Sequence, residues 1–185
     1  MITKLKTNIS KFTHVFHIAD IQVRLNSRIE EYKEVFEILY SEIENSPPNT
    51  VVAIVGDIFH SKCDLSPECV DMTVDLFTRI SELRPLVIVS GNHDAMLSNK
   101  SRLDSLTPIV KALKNPNIYY LRKTGLYGIG NILFNNMSIF AVSYTHLRAH
   151  ETVLDLVCRL LLEKKKHRTH RHCVQHIIAI STIVT

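Results

Sequence analysis

Three polar clusters in this chain combine carboxylate, amide and imidazole groups, which are the kinds of group that bind metal ions and transfer protons. They read Asp20-Ile-Gln22, Gly56-Asp-Ile-Phe-His60 and Gly91-Asn-His-Asp94. Oxygen ligands with some imidazole nitrogen suit Mg, Mn or Fe better than a thiolate-type zinc site. Imidazole suits proton transfer because its pKa lies near neutral pH. The clusters therefore predict a site for a hard divalent metal ion.

Each cluster follows a short apolar run that is typical of a buried strand, at residues 15–19, 51–55 and 86–89. Asp20 and Asp57 are 37 positions apart and Asp57 and Asn92 are 35 apart, so each step is about one βαβ unit. The carboxyl ends of parallel strands meet at one edge of a sheet, where ligands bind. We therefore expect the three clusters to converge.

The segments between these strands carry helix signals. Ser27-Arg-Ile-Glu30 matches a capping box ahead of an apolar stripe that ends at Asn45-Ser-Pro-Pro48. A second helix is expected from Ser66-Pro67 to about Leu83, and a third over roughly 107–114. Later strands are expected at 118–121, 132–134 and 138–141. The alternation predicts an α/β fold, with a layered parallel sheet covered on both faces and flanked by helices.

Each polar residue also has a simpler interpretation. A lone Asp after a strand usually caps a helix or closes a turn, and Gly-Asn usually forms a turn. His14 and His17, within or beside the first strand, are expected to be structural. Three clusters at three strand ends, one βαβ unit apart, are much harder to explain in this way.

The composition is that of a globular protein, with 185 residues, 45% of them hydrophobic and 22% charged. The four cysteines form no Cys-x-x-Cys pair, which argues against a disulfide scaffold or a zinc ribbon and favours a reducing compartment. The sequence shows no signal-peptide core and no apolar stretch of membrane-spanning length. We expect an intracellular protein, cytoplasmic or nuclear, without a membrane partner.

The order of the motifs D-x-Q, G-D-x-x-H and G-N-H-D resembles the calcineurin-like metallophosphoesterase superfamily, over residues 12 to about 141. Serine/threonine protein phosphatases instead carry G-D-x-V-D-R-G and G-N-H-E. The placement of His60 within G-D-[IL]-F-H is similar to that in SbcD-type DNA-repair nucleases. The resemblance implies a metallophosphoesterase-type fold and two divalent metal ions, with Mn favoured over Mg or Fe.

The resemblance also implies a role for each matching residue. Asp20 would bind the first metal, Asp57 would bridge both metals and Asn92 would bind the second. His93 would face the scissile phosphate and assist the leaving oxygen. His60 would be a second active-site histidine.

Two departures from the family pattern leave alternatives open. The first motif usually reads D-x-H, whereas this chain has Gln22, whose carbonyl oxygen can still bind a hard cation. Similar branches hydrolyse nucleotides or nucleotide-sugar diphosphates, so such a substrate is the alternative to DNA. The later G-H and G-H-x-H motifs do not follow Gly91. A truncated, catalytically incomplete fragment is therefore a third possibility.

The charge changes sharply near residue 141. Residues 1–141 hold 15 basic and 15 acidic side chains, whereas residues 142–185 hold 7 basic and 3 acidic ones. The net charge of +4 therefore belongs to the second segment, which holds 6 of the 10 histidines. Such asymmetry suggests two segments of different origin or role.

The second segment, from Ser143-Tyr-Thr-His-Leu onward, resembles a read-through peptide translated from adapter or vector sequence. We expect residues 1–141 to be a phosphoesterase domain that is incomplete at its C-terminal side, and residues 142–185 to be a non-native tail that packs poorly. The native alternative is a helix over 153–163 followed by a basic patch over 164–172 that binds nucleic acid.

The function expected from these observations is two-metal hydrolysis of phosphodiester bonds, by a DNA exonuclease or endonuclease of the repair type. The expected partner is a DNA or nucleotide phosphodiester substrate. Nuclease relatives imply a homodimer and a coiled-coil ATPase as further partners.

Overall fold

The computed structural model of this chain describes residues 1–24, 28–61, 65–99 and 101–140, together with the backbone of Ile178–Thr182. These residues form eight strands and three helices. The strands are β1 (Ile2–Leu5), β2 (His14–Ile18), β3 (Thr50–Val55), β4 (Leu86–Val89), β5 (Ile118–Tyr120), β6 (Gly125–Ile129), β7 (Ile132–Asn136) and β8 (Ile178–Thr182). The helices are α1 (Ile29–Asn45), α2 (Pro67–Leu83) and α3 (Leu106–Leu113).

The main sheet has the strand order β5-β4-β3-β2-β8. Its strands β2, β3, β4 and β5 are parallel, and β8 joins β2 as an antiparallel edge strand. The strand β3 lies in the middle and is almost entirely buried, which suits its run of β-branched residues. The parallel α/β sheet predicted from the sequence is therefore confirmed.

The three helices pack on one face of this sheet. Their apolar stripes join the strand residues that point to that face in one large buried cluster. Strand residues Phe16, Ile54 and Leu86 meet helix residues Leu39 and Leu76 in this cluster, and each of these five side chains is 3% exposed or less. Because β2 to β5 follow one another in a single direction across the sheet, connections of one handedness place every helix on the same side.

A second, three-stranded sheet covers the opposite face. It has the order β1-β6-β7, in which β1 and β6 are parallel and β6 and β7 are antiparallel. Phe12, Val51 and Val87 form a second buried cluster there with Ile129, and side chains of β1 and β7 pack against it. Both faces of the main sheet are covered as predicted, but one of them is covered by a sheet rather than by helices.

The helix ends agree with the sequence at α2 and differ at α1. Ser66 is the N-cap of α2 and its hydroxyl accepts a 3.3 Å hydrogen bond from Cys69 N, with Pro67 opening the first turn as predicted. The N-cap of α1 is Arg28 in a left-handed conformation (φ 61°), with no side-chain cap. The predicted capping box is therefore wrong, since Glu30 pairs with Lys33 at 2.9 Å. Ser27 lies outside the described residues.

The region after β5 departs most from the expected strands. The strand predicted over 138–141 is wrong for its described part, because Ser138 lies in irregular structure and residues 139–140 form a turn. The Ser138 hydroxyl donates to the Arg122 carbonyl at 2.6 Å, and Ser138 N donates to Thr124 Oγ1 at 3.0 Å. These side-chain and backbone bonds replace a sheet ladder. The strands β1, β6 and β8 were not predicted.

The segment 142–185 is described only at Ile178–Thr182, whose backbone pairs with β2 from Ile178 opposite Ile18 to Thr182 opposite His14. All six histidines of this segment, the predicted helix over 153–163 and the basic patch over 164–172 lie outside the described residues. The domain boundary at 141 and the non-native tail therefore stay predictions. In the part of the chain that the structure describes, no helix is long and apolar enough to cross a membrane.

Candidate metal-binding and catalytic site

The three polar clusters lie at the same edge of the main sheet, beyond the carboxyl ends of β2, β3 and β4. Hydrogen bonds from backbone N–H groups join them. Gln22 N donates to the Asp57 carbonyl at 2.9 Å, and His93 N donates to Asp57 Oδ1 at 2.9 Å. Val23, directly after the first cluster, pairs with Phe59 of the second cluster in an isolated parallel bridge, which continues the β2–β3 pairing beyond the strand ends. The convergence expected from the strand spacing is present in the structure.

The backbone at this edge is unusual. Asp20, Gln22 and Asp57 adopt positive φ values of 54°, 50° and 51°, and Gly56 has a φ of 81°. Left-handed non-glycine residues are uncommon and cost of order 1 kcal/mol each, so they concentrate where surrounding contacts hold them. The other described non-glycine residues with positive φ, Arg28 and Lys114, flank helix ends. Three of the four residues predicted to bind metal are thus held in specific turn conformations.

Asp57 and His93 are in direct contact. Asp57 Oδ1 accepts a 2.9 Å hydrogen bond from the backbone N–H of His93. The contact requires Gly91, because a Cβ built at Gly91 would lie 2.1 Å from Asp57 Oδ1 and 2.2 Å from Asp57 N. Both Asp57 and His93 are half-buried. The glycine of the third cluster therefore lets the second cluster approach to within bonding distance.

The imidazole of His93 is fixed by the backbone of the second cluster. Its Nδ1 lies 2.6 Å from the carbonyl oxygen of His60. A carbonyl oxygen only accepts, so Nδ1 carries the proton and donates it. Nε2 is then the nitrogen through which neutral His93 accepts a proton. The rings of His60 and His93 are roughly parallel, with centroids 6.0 Å apart. The two predicted catalytic histidines therefore lie side by side.

Gln22 links the first cluster to the same histidine pair. Its Oε1 lies 3.4 Å from His60 Nδ1, which is a long contact. Its backbone carbonyl accepts a 2.7 Å hydrogen bond from the Tyr32 hydroxyl on α1. Gln22 is half-buried, whereas Asp20 and His60 are exposed. The first cluster thus contributes one carboxylate and one amide oxygen to the edge.

Asp94 was not among the predicted site residues, although it is the last residue of the third cluster. Its side chain is fully buried, with 0% exposure. Burial raises the pKa of this carboxyl to about 6, against the opposing effect of backbone N–H groups from Phe59, Gly91 and Ile58. Its place at the end of a motif that already carries an amide and an imidazole was the sequence signal that could have identified it.

The donor types at this edge fit a hard divalent cation. Asp20 and Asp57 offer carboxylate oxygens, and Gln22 and Asn92 offer amide oxygens, which suit Mg or Mn. Among the described residues, no group of three or more His, Cys, Asp or Glu side chains is gathered closely enough to hold a metal ion. A cation here would thus depend on the amide oxygens as well as the carboxylates.

Comparisons with known proteins found a matching family model and a similar viral protein. Residues 13–176 match the family model of the calcineurin-like phosphoesterases. The chain is also similar to the uncharacterized protein R555 of Acanthamoeba polyphaga mimivirus, with 41% identity over 136 residues. That alignment covers 71% of this chain and 10% of the relative, so the chain spans about a tenth of the length of the curated protein that it matches.

Proposed function

This chain belongs to the calcineurin-like phosphoesterase family, and on that premise we propose that its sheet-edge site hydrolyses phosphodiester bonds with two divalent metal ions. Asp20 is the proposed ligand of one ion and Asn92 of the other, with Asp57 shared between them and Gln22 as an added oxygen ligand. Manganese is the proposed metal, and magnesium or iron are the alternatives. Such ions stabilise charge on a phosphate and lower the pKa of water.

The fixed imidazole of His93 is the observation that carries the proposal. Its Nδ1–H is engaged by the His60 carbonyl at 2.6 Å and its backbone N–H by Asp57 Oδ1 at 2.9 Å. One hydrogen bond therefore fixes the imidazole ring of His93, and the other fixes its backbone. When Nε2 is protonated, it can donate that proton to the departing oxygen of the ester, which makes His93 the proposed general acid.

DNA is the proposed substrate, by resemblance to the repair nucleases. The support lies in His60, which stands at the position typical of that branch and whose ring lies 6.0 Å from that of His93. An exposed imidazole beside the proposed acid is suited to contact a phosphate of an extended substrate. Residues 1–141 hold equal numbers of basic and acidic side chains in the sequence, so this assignment depends on the histidines.

The test is manganese-dependent hydrolysis of a generic phosphodiester, bis(4-nitrophenyl) phosphate, by the protein and its variants. We expect Asp57→Asn and His93→Ala each to reduce kcat by at least about 100-fold, as expected for loss of a metal ligand or a general acid. Glu42→Gln, an exposed change on α1, is the control and should leave the rate unaltered. Equal rates in all four proteins would refute the proposal.

A nucleotide or nucleotide-sugar diphosphate is the second candidate substrate, because Gln22 replaces the usual histidine of the first motif. Its Oε1 lies 3.4 Å from Nδ1 of His60, so the departing residue of the first motif is part of the site. Rates on single-stranded and double-stranded DNA, compared with those on ADP-ribose and ADP-glucose, separate the two candidates. Preference for the small diphosphates would favour the second.

A third candidate is a fragment that lacks the late metal ligands. Its support is the absence of G-H and G-H-x-H after Gly91 in the sequence. Metal titration by calorimetry distinguishes this candidate, since two tight sites on the chain would refute it. A homodimer, a coiled-coil ATPase partner and an intracellular location follow only from the nuclease proposal. Light scattering and co-purification of the protein would test the two partners.

A further inference from the structure

The carboxylate of Asp94 is fully buried, and both of its oxygens accept hydrogen bonds from backbone N–H groups. Oδ1 accepts a 2.9 Å hydrogen bond from Phe59 N. Oδ2 accepts from Gly91 N at 2.8 Å and from Ile58 N at 3.3 Å. The side chain has 0% exposure, so no solvent replaces these donors. A buried carboxylate is stable only with such compensation, which makes the arrangement of the donors a condition for folding this edge.

These donors belong to two different loops. Ile58 and Phe59 directly follow Asp57 in the loop after β3, and Gly91 directly precedes Asn92 in the loop after β4. One side chain therefore joins the two loops that carry the proposed shared ligand and the proposed second ligand. Asp94 is 35 positions from Phe59 and 36 positions from Ile58 in the chain.

The backbone of Asp94 is itself anchored. Its carbonyl accepts a 2.9 Å hydrogen bond from Ser105 N, which lies at the start of α3. Its N–H donates to the Gly91 carbonyl at 3.3 Å. The hydrogen bond from Ser105 thus fixes the backbone of Asp94, and the carboxylate of Asp94 fixes the two loops.

We infer that Asp94 is a positioning residue, whose carboxylate keeps Asp57 and the Asn92–His93 segment in the one arrangement in which His93 N reaches Asp57 Oδ1. The link between Asp94 and metal binding rests on the proposed function. Asp94 is not a metal ligand in this arrangement, because its side chain is fully buried and its oxygens face the backbone N–H groups of the two loops. It acts on the site through the residues that it orients.

The test is backbone amide hydrogen exchange of the chain, followed by NMR without added metal. Asp94→Asn replaces one acceptor oxygen by an amide NH2 group, so that two hydrogen-bond donors face each other. We expect exchange at least 10-fold faster at the amides that Asp94 bonds directly. We also expect exchange at least 10-fold faster at His93 N–H, which Asp94 does not touch. In the metal-loaded protein, Mn²⁺ affinity should fall by about 10- to 100-fold, as for other residues that orient ligands.

Asp104→Asn is the matched control. Asp104 is another buried carboxylate, 2% exposed, which accepts from Thr107 and Arg122 and from neither loop of the site. Its replacement should destabilise the chain while leaving His93 N–H protected. Faster exchange only at the amides that Asp94 bonds, with His93 N–H unaffected, would overturn the inference.

A measurement on the unaltered chain keeps the inference testable if Asp94→Asn does not fold. If the Asp94 carboxylate holds both loops together, the amides of Phe59, Gly91 and His93 must open together, with the same free energy of opening. Unequal values for His93 and the other two would overturn the inference. If no Mn²⁺ binds to the unaltered chain, the proposed function fails, whereas the exchange results still decide whether Asp94 positions the loops.

Discussion

The backbone N–H of His93 donates a 2.9 Å hydrogen bond to Oδ1 of Asp57, although the two residues are 36 positions apart. Their strands, β3 and β4, are neighbours, so the bond connects the first turns beyond two adjacent strand ends. It orients a carboxylate proposed to bind metal and the backbone of the proposed general acid at once. The geometry of either group therefore depends on the other.

Gly91→Ala should disrupt this contact. A Cβ at position 91 would lie 2.1 Å from Asp57 Oδ1 and 2.2 Å from Asp57 N, so the backbone of one loop must move. We expect a loss of about 2 kcal/mol or more in the free energy of unfolding, as for other overpacked sites. Urea denaturation measures this loss.

Gly125→Ala is the control for that change. A Cβ at position 125 would lie 3.6 Å from the nearest atom, which belongs to the Tyr127 ring, and this is an ordinary van der Waals contact. We expect a change within about 0.5 kcal/mol. Equal destabilisation by both alanines would show that the close approach at Gly91 is not what the site requires.

Gln22→His should tighten manganese binding. Gln22 has a φ of 50°, a conformation that histidine adopts more readily than most residues. An imidazole nitrogen is a stronger ligand for Mn or Fe than an amide oxygen. We expect roughly a tenfold lower Kd, equal to about 1.4 kcal/mol, measured by calorimetry.

Gln22→Ala completes this comparison, because it removes the amide oxygen and its contact with His60. It should weaken manganese binding. If the histidine and alanine variants bind Mn²⁺ with the affinity of the unaltered chain, Gln22 is not a ligand and the first cluster contributes only Asp20.

The ion pair between Asp104 and Arg122 should make the fold sensitive to acid. Burial would raise the pKa of Asp104, but its hydrogen bonds with Arg122, at 2.7 Å, and with Thr107 outweigh burial and hold the pKa below its usual range. A lowered pKa stabilises the fold above the unfolded value of about 3.9. The stabilisation is lost as the pH falls through the lower folded value.

The difference in unfolding free energy between the unaltered chain and Asp104→Asn should therefore depend on pH. We expect about 2 kcal/mol near pH 7, typical of hydrogen bonds to a charged group, and a progressive decrease below about pH 4. Urea denaturation across this range provides the values. A difference that stays constant down to the lowest accessible pH would contradict the assigned role of this pair.

The sequence predicted the elements whose signals are local and chemically specific. Ser66 and Pro67 mark the start of α2 because a hydroxyl cap and a preset φ act within one turn. The strands β2, β3 and β4 were recognisable as apolar runs since both of their faces are buried. The convergence of the polar clusters then followed from the parallel topology alone.

The elements that were not predicted depend on contacts distant in sequence. The strand β1 is mostly exposed and forms only because β6, more than 100 residues later, pairs with it. The N-cap of α1 is Arg28 rather than Ser27, and it makes no side-chain cap hydrogen bond that the sequence could signal. Asp94 was overlooked for the same reason, because its partners Ile58 and Phe59 come together with it only in the folded chain.

Calorimetric titration with Mn²⁺ tests the central claim, that the edge carrying Asp57 is a metal site. We predict that the chain binds Mn²⁺ and that Asp57→Asn weakens the affinity by at least about tenfold. Glu42→Gln, exposed near the end of α1 and so toward the opposite edge of the sheet, should bind Mn²⁺ like the unaltered chain. Binding that is unaffected by Asp57→Asn, or no Mn²⁺ binding by the unaltered chain, would contradict the account.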